Sequence, residues 1–368
     1  MRIAIAGWFG SDNLGDELLL RSLMGCVRAV DPAATFVVLA PDPERVAELH
    51  GVDAVPMPTL RGGGGAAGRQ ALVRRALKEC DLLFLGPGTV FQERSPNLRW
   101  PGTLALFTRL VGMARSAGTP VATAGVGVRE GGTPAGNLML RGIGAACVAV
   151  GVRDKHSAAP FGRKAQVIGD LAYTMDLPAL DGPAPGQRFA VSMRPLAPAV
   201  EQSLLTAISG CVDRLRGQGW SGDFLPMAFG RGARGEDDRD VYDRGLRDSL
   251  DLAGNPLGAG GPLSFDGWLR ELAGYRLTLS TRLHAAVPAV ALGVPTVAIA
   301  YEQKVHGVFV DLGLSRFVVP PDVTAEALHR TATEALAAPG EFQQAAKRLA
   351  AQGGVAREFV AATLRGLG

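Results

Sequence analysis

Residues 277–304 read LTLSTRLHAAVPAVALGVPTVAIAYEQK, and this stretch decides the fold. The apolar run Leu277–Ser280 is too short for a helix and suits a buried strand. Leu283–Leu292 then carries helical periodicity, Gly293-Val294-Pro295 breaks it, and Thr296–Ala300 is a second buried run. A strand, helix and strand of these lengths make a β-α-β unit with parallel strands. The same stretch carries chemistry: Arg282 and His284 fall at the start of the helix, where the dipole attracts anions, and Lys304 follows the second strand. A guanidinium, an imidazole and an ammonium around one unit suit a small ligand with two or three negative charges, such as a phosphorylated carboxylate.

Working outward, the alternation repeats. Ile3–Ala6, Thr35–Leu39, Leu82–Leu85 and Val121–Ala124 read as strands, with helices over Glu17–Val30, Pro43–His50, Thr103–Ser116 and Asn137–Ala146. The Pro- and Gly-rich stretch Ala179–Gln187 reads as a linker, after which strands at Arg188–Met193 and Asp223–Met227 and a helix at Ala199–Gln218 restart the pattern. The expected class is α/β, with two Rossmann-like domains facing across a cleft: residues 1–180 on the acceptor side, 181–340 carrying the anion-binding motifs, and a helical tail, 341–368, packing back on the first domain. The glycine-rich run Arg61–Gly68 reads as a surface loop, since it does not join a strand directly to a helix as a phosphate cradle must. Gly230–Asp243, dense in charge, reads as a solvated loop and helix start.

Composition narrows the function. The chain has 368 residues, 47% of them hydrophobic and 20% charged, enough to bury two cores. A net charge of +3 with no basic run argues against nucleic acid. The four cysteines, at 26, 80, 147 and 211, lie far apart and form no metal-binding spacing, so they read as reduced core thiols with no metal site. Neither a signal-like start nor an uninterrupted apolar run of about 18 residues is present, and the expected location is the cytoplasm.

Three further turns fall at the ends of predicted strands. GWFGSDNLGDE, residues 7–17, follows the first strand, lacks the dinucleotide spacing, and puts Asp16 and Glu17 where a pyrophosphate would sit. Asn13 and Asp16 either cap the following helix or contact sugar hydroxyls, with Asp16 as a base. Gly86-Pro87-Gly88-Thr89 is either a tight turn alone or part of the same ligand edge. Arg153 follows the run Cys147–Val152 and either pairs with a neighbouring acid such as Asp154 or grips a carboxylate or phosphate with its planar fork. Of the histidines, only His284 sits beside other cations. His306 reads as a cap or a solvent-facing residue, and His50, His156 and His329 lack such company.

Taken together, GWFGSDNLGDE, GPGT, VRDKHS, SMRP and the block STRLHAAVPAVALGVPTVAIAYEQKV resemble the polysaccharide pyruvyltransferase family, in the family's order and over most of the chain. The chain departs from the family's pattern at Gly86-Pro87-Gly88, where three glycines are usual, at Ala124–Val128, and at Glu302-Gln303, where Asp-Pro is usual. The resemblance implies a fold like that of two-domain glycosyltransferases. It implies phosphoenolpyruvate as donor, held by Arg153, His284 and Lys304 with Arg282 in support, and transfer to a saccharide of a cell-wall precursor. On that reading His284 is the general acid, Asp16 the base with Glu17 second, and Asn13, Asp16, Glu17, Gly86, Gly88 and Thr89 line the acceptor side. No cofactor or metal is implied. The implied acceptor is a saccharide that could be lipid-diphosphate-linked, reached by peripheral contact at the inner membrane face. Two other readings stay open: a glycosyltransferase using a nucleotide sugar, and a non-catalytic sugar- or phosphate-binding protein.

Overall fold

In the computed structural model, which describes residues 1–60, 65–92, 102–129, 132–178, 186–230, 236–253 and 265–367, the apolar runs form two parallel sheets in two compact units. The first unit comprises Met1–Ser11, Asp16–Met175 and Gln352–Gly368; the second comprises Asp12–Gly15 and Asp176–Ala351.

The first unit holds strands β1 (Arg2–Ala6), β2 (Thr35–Ala40), β3 (Asp53–Pro56), β4 (Leu82–Leu85), β5 (Gly88–Phe91), β6 (Val121–Val128), β7 (Ala149–Val152) and β8 (Ala165–Val167). They lie in the order β3-β2-β1-β4-β6-β7-β8, with β5 against β6. Ile3 to Ala6 and Leu82 to Leu85 are fully buried, which is why these runs show no polar alternation: both faces of the sheet are covered. The second unit holds β9 (Arg188–Ser192), β10 (Ser221–Phe224), β11 (Asp251–Leu252), β12 (Leu277–Ser280), β13 (Thr296–Ile299) and β14 (Val318–Val319), in the order β11-β10-β9-β12-β13-β14.

Both sheets reverse direction of winding once. The chain moves outward from β1 through β2 to β3 and then returns to place β4 on β1's other side; β9, β10, β11 and β12 repeat the manoeuvre. Ligands in open α/β sheets bind beyond the carboxyl ends of the strands at such switch points. In the first unit these are the loops after β1 and β4, in the second the loops after β9 and β12.

Two expectations change in detail, and two fall partly outside the described residues. Ala66–Gly68, part of the stretch read as loop, opens a helix, Ala66–Lys78; residues 61–64 lie outside the described residues. Of the expected linker, 179–185 likewise lie outside them. Gly88 and Thr89, read as turn, begin strand β5. The loop after β1 also divides: Asp12–Gly15 joins the second unit, where Asn13 bridges Ala228 antiparallel and the Leu14 amide donates to the Met227 carbonyl at 2.8 Å. The long helix Pro339–Arg365 contributes to both units. Arg348 donates to the Leu312 carbonyl at 2.8 Å in the second, and Arg357 donates to the Thr174 carbonyl at 3.0 Å in the first. The four cysteines are buried thiols that form no disulfide with one another, and burial pushes the Cys80 thiol up to about 11 and those of Cys147 and Cys211 to about 12. Among the described residues no helix is long and apolar enough to cross a membrane.

Candidate active site

In the second unit the cations gather where the topology predicts a ligand. Arg282 ends the turn after β12 and caps the helix Leu283–Ala291; the Ser280 hydroxyl accepts from the Arg282 amide at 3.0 Å and donates to its carbonyl at 2.9 Å. This local loop locks the backbone and aims the guanidinium. Its outer edge is met by Asp238, which is wholly buried and accepts from Arg282 Nε at 3.2 Å and from Nη2, besides taking the Met227 and Ala228 amides at 2.9 and 3.2 Å. Burial pushes the Asp238 carboxyl up in pKa, and the Arg282 guanidinium and the two amides offset only part of that rise. This carboxylate fixes Arg282 in place. Reading 230–243 as solvated missed it, although Asp238, Val241 and Tyr242 share one helical face and the latter two are buried.

A second arginine joins the first across the switch point. Arg194 follows β9; its amide donates to Thr281 Oγ1 at 3.0 Å, tying the β9 and β12 turns together, and its Nη1 donates to the Tyr301 hydroxyl at 2.5 Å. Its guanidinium also lies 5.1 Å from the Tyr301 ring centre. Burial lowers the Arg194 pKa, but Tyr301, Glu236 and Glu302 outweigh it and hold the group more basic than usual. Glu236 binds both arginines: one oxygen accepts from Arg194 Nη2 and the other lies 3.1 Å from Arg282 Nη1. In the sequence, Arg194 stands only within SMRP, with no role assigned to it.

His284 lies two residues after Arg282, in the first turn of the helix that Arg282 caps, partly exposed, with its ring against the backbone of Gly15. A Cβ at residue 15 would stand 2.6 Å from His284 Nδ1, so only glycine fits there. Gly15 and the RLH motif, distant in sequence, thus meet within the second unit. Lys304 opens the helix Gln303–Asp311 after β13 and pairs with Glu302 at 2.7 Å. Beside it a cavity of about 510 Å³ is lined by Tyr301, Glu302, Gln303 and His306 and by the apolar wall Val318–Pro320. His306 therefore borders a concavity.

The first unit presents its own cation. Arg153, just beyond β7, is largely buried and lies over Gly127: a Cβ there would come within 3.0 Å of Arg153 Nη2. It donates to Thr89 Oγ1 at 3.3 Å and to Asp154 at 3.2 Å, and Asp170 stands 4.0 Å away. Thr89, in β5, is thus a partner of Arg153. Gly86 and Gly88 adopt φ of +89° and +93°, and a Cβ on Gly86 would stand 2.5 Å from Val126. Asn13 Oδ1 accepts from the Gly15 amide at 3.0 Å, the capping geometry expected at a helix start. Asp16 opens that helix, partly exposed. Glu17 is buried; it accepts from the Gly10 amide at 2.7 Å and pairs with His50 Nε2 at 2.8 Å, so its carboxylate holds the glycine turn. His50, given no role from the sequence, is the partner of that carboxylate. Among the described residues no group of three or more His, Cys, Asp or Glu is arranged to hold a metal.

A family model described as polysaccharide pyruvyl transferase matches residues 13–303, and the chain belongs to that family. It is a transferase acting on polysaccharides. No curated protein matches it in sequence. Among solved structures, it is similar to the UDP-GlcNAc 2-epimerase of Neisseria meningitidis bound to UDP-GlcNAc at TM-score 0.60 and 10% identity, covering 100% of each chain. It is similar to a glycosyltransferase of Rickettsia africae at TM-score 0.58 and 13% identity, covering 99% of this chain and 97% of that one. It is similar to Anabaena HepE in complex with UDP-glucose at TM-score 0.53 and 15% identity, covering 100% and 98%. At these identities the likeness concerns the fold alone, that of two Rossmann-like units of GT-B type.

Proposed function

We propose, from membership of the polysaccharide pyruvyl transferase family, that the protein transfers the enolpyruvyl group of phosphoenolpyruvate to two hydroxyls of one sugar in a cell-wall polysaccharide precursor. The product is a pyruvyl ketal, and inorganic phosphate is released. The observation that carries this reading is the pair of arginines at the switch point after β9 and β12, followed by His284 and Lys304: fixed cations beside a titratable group, as an anionic leaving group requires.

In the reaction the methylene carbon of the donor takes a proton and becomes a methyl group. The first sugar hydroxyl bonds to the adjacent carbon, the carbon–oxygen bond to phosphate breaks, and the second hydroxyl closes the ketal. Of the two hydroxyl protons, one balances the new methyl group and the other leaves on phosphate. Arg153, Arg282 and Lys304 hold the donor's phosphate and carboxylate while charge moves onto the leaving oxygen. His284 serves as general acid and Asp16 as the base that relieves the attacking hydroxyl. Asn13, Glu17, Gly86, Gly88 and Thr89 shape the acceptor side, Glu17 and the glycines by fixing the turns. The acceptor is a saccharide linked to a lipid diphosphate and met by peripheral contact at the inner face of the membrane.

The test is to incubate the protein with phosphoenolpyruvate and a panel of saccharide acceptors while assaying phosphate. Acceptor-dependent phosphate with a ketal-bearing product is expected, and His284→Ala should remove it. Release of a nucleotide from a nucleotide sugar, with no phosphate from phosphoenolpyruvate, would replace this reading with glycosyl transfer.

A further inference from the structure

The two carboxylates that meet Arg282 differ in kind. Asp238 is wholly buried and has spent its oxygens on the guanidinium and two backbone amides. Its removal would leave a buried charge uncompensated, so it is a permanent partner. Glu236 is about two-fifths exposed (41%), and its carboxylate straddles Arg194 and Arg282, one oxygen to each. Two guanidinium groups bridged by one carboxylate have the geometry with which such pairs take a ligand's carboxylate or phosphate. The bridge spans the turns after β9 and β12, where the sheet topology locates a ligand.

We infer that Glu236 is an internal stand-in for the donor's anion: its carboxylate occupies the Arg194–Arg282 site in the empty protein and is expelled when a phosphate or carboxylate binds there. This deepens the reading of Arg282 as a donor-binding residue and rests on it, and it adds Arg194 to the same site. Three features favour displacement over permanent pairing. Arg194 keeps the Tyr301 hydroxyl and Arg282 keeps Asp238 when Glu236 leaves, so neither guanidinium loses its orientation. The Glu236 side chain is exposed enough for water to take over its carboxylate. Glu236 also offers the two guanidinium groups a single negative charge, whereas a phosphate offers two, so a dianion outcompetes it. The consequence for binding is a tax: the observed affinity is the intrinsic affinity multiplied by the fraction of molecules whose site is open.

Calorimetric titration with inorganic phosphate and with phosphoenolpyruvate, on the full chain, tests this. Glu236→Gln keeps the shape and removes the charge, and should tighten both ligands about twofold to fivefold. Loss of a nearby negative charge would do something similar without any displacement, so the same change is made in an Arg194→Gln background. If Glu236 acts by occupying the arginine pair, its removal gains little once Arg194 is gone. An equal gain in both backgrounds, or weaker binding by Glu236→Gln alone, would overturn the inference, the latter because it would make Glu236 a support for the arginines. Phosphate binding that follows this pattern in a protein that fails to turn over phosphoenolpyruvate would sink the proposed reaction and leave the displaceable carboxylate standing. Failure of the unmodified protein and of Glu236→Gln alike to bind either anion would sink both.

Discussion

Arg153 in the first unit and Arg282 in the second answer the same need with opposite arrangements of carboxylates. Around Arg153 the acids have second jobs: Asp154 accepts the Ser157 amide at 2.8 Å and Asp170 the Ala172 amide at 2.9 Å, each fixing the start of a short helix. Such groups cannot leave without unravelling a turn. Around Arg282 only Asp238 is bound into the backbone in this way, while Glu236 is exposed and shared with Arg194. The lesson is that a guanidinium's partners should be sorted by what else they hold. Acids that also cap backbone keep the arginine in place; an acid that holds nothing else marks where a ligand's anion goes.

The strongest blow to this comparison falls on Asp238. Asp238→Asn removes the fixed counter-ion of a buried guanidinium, and the expected loss of stability is about 3–5 kcal/mol. Urea denaturation should register it as a marked fall in midpoint. A change below about 1 kcal/mol would place Asp238 with Glu236 among the dispensable partners and remove the distinction.

Two glycines sharpen the comparison because they set the distance between the backbone and a candidate site side chain, His284 or Arg153. Gly15→Ala puts a methyl carbon 2.6 Å from His284 Nδ1, so the ring must move. In a helix this change would otherwise gain stability. Stability near normal with turnover of the proposed reaction down about a hundredfold is therefore expected, the size of effect that a displacement of about 1 Å produces. Gly127→Ala brings its methyl to 3.0 Å from Arg153 Nη2 and 3.1 Å from Thr89 Oγ1, a contact relieved by a shift of a few tenths of an ångström. The expected result is a rise in KM for phosphoenolpyruvate with kcat little changed. If the two substitutions behaved alike, His284 and Arg153 would not differ in how closely the backbone holds them.

Much of this was legible in the sequence, for reasons that also explain the omissions. Strands buried on both faces announce themselves as apolar runs, and Leu82–Leu85 and Leu277–Ser280 have the boundaries the sequence indicates. Edge and short strands do not: Asp53–Pro56 and Ala165–Val167 are half-solvated and carry charged or polar residues, so no run marks them. The cations of the second unit are readable because Arg282, His284 and Lys304 follow recognisable strands. Their counter-ions are not, since Asp238 comes from a charged stretch whose neighbours in sequence face water. A buried acid looks like a solvated one until tertiary structure closes over it. The Glu17–His50 pair was invisible for the same reason, its members being 33 residues apart.

The smallest expected effect belongs to Asp154, and it tests whether an acid beside Arg153 is a structural cap. Burial raises its pKa, but the Ser157 amide and hydroxyl and the Arg153 guanidinium prevail, and the carboxyl ends below its ordinary value of 3.8. Folding therefore favours the ionised form. The stability this contributes is fully present above the unfolded value and fades as pH falls through the lower folded value. Asp154→Ala should cost about 1 kcal/mol at neutral pH, the usual worth of such a cap. The gap between the two proteins should narrow as the solution is acidified below pH 3.8, because protonation deprives the native carboxylate of the same interactions. A gap that stayed constant through that range would mean that the charge of Asp154 contributes nothing. Arg153 would then be held by Thr89 and Asp170, leaving Asp154 as exchangeable as Glu236.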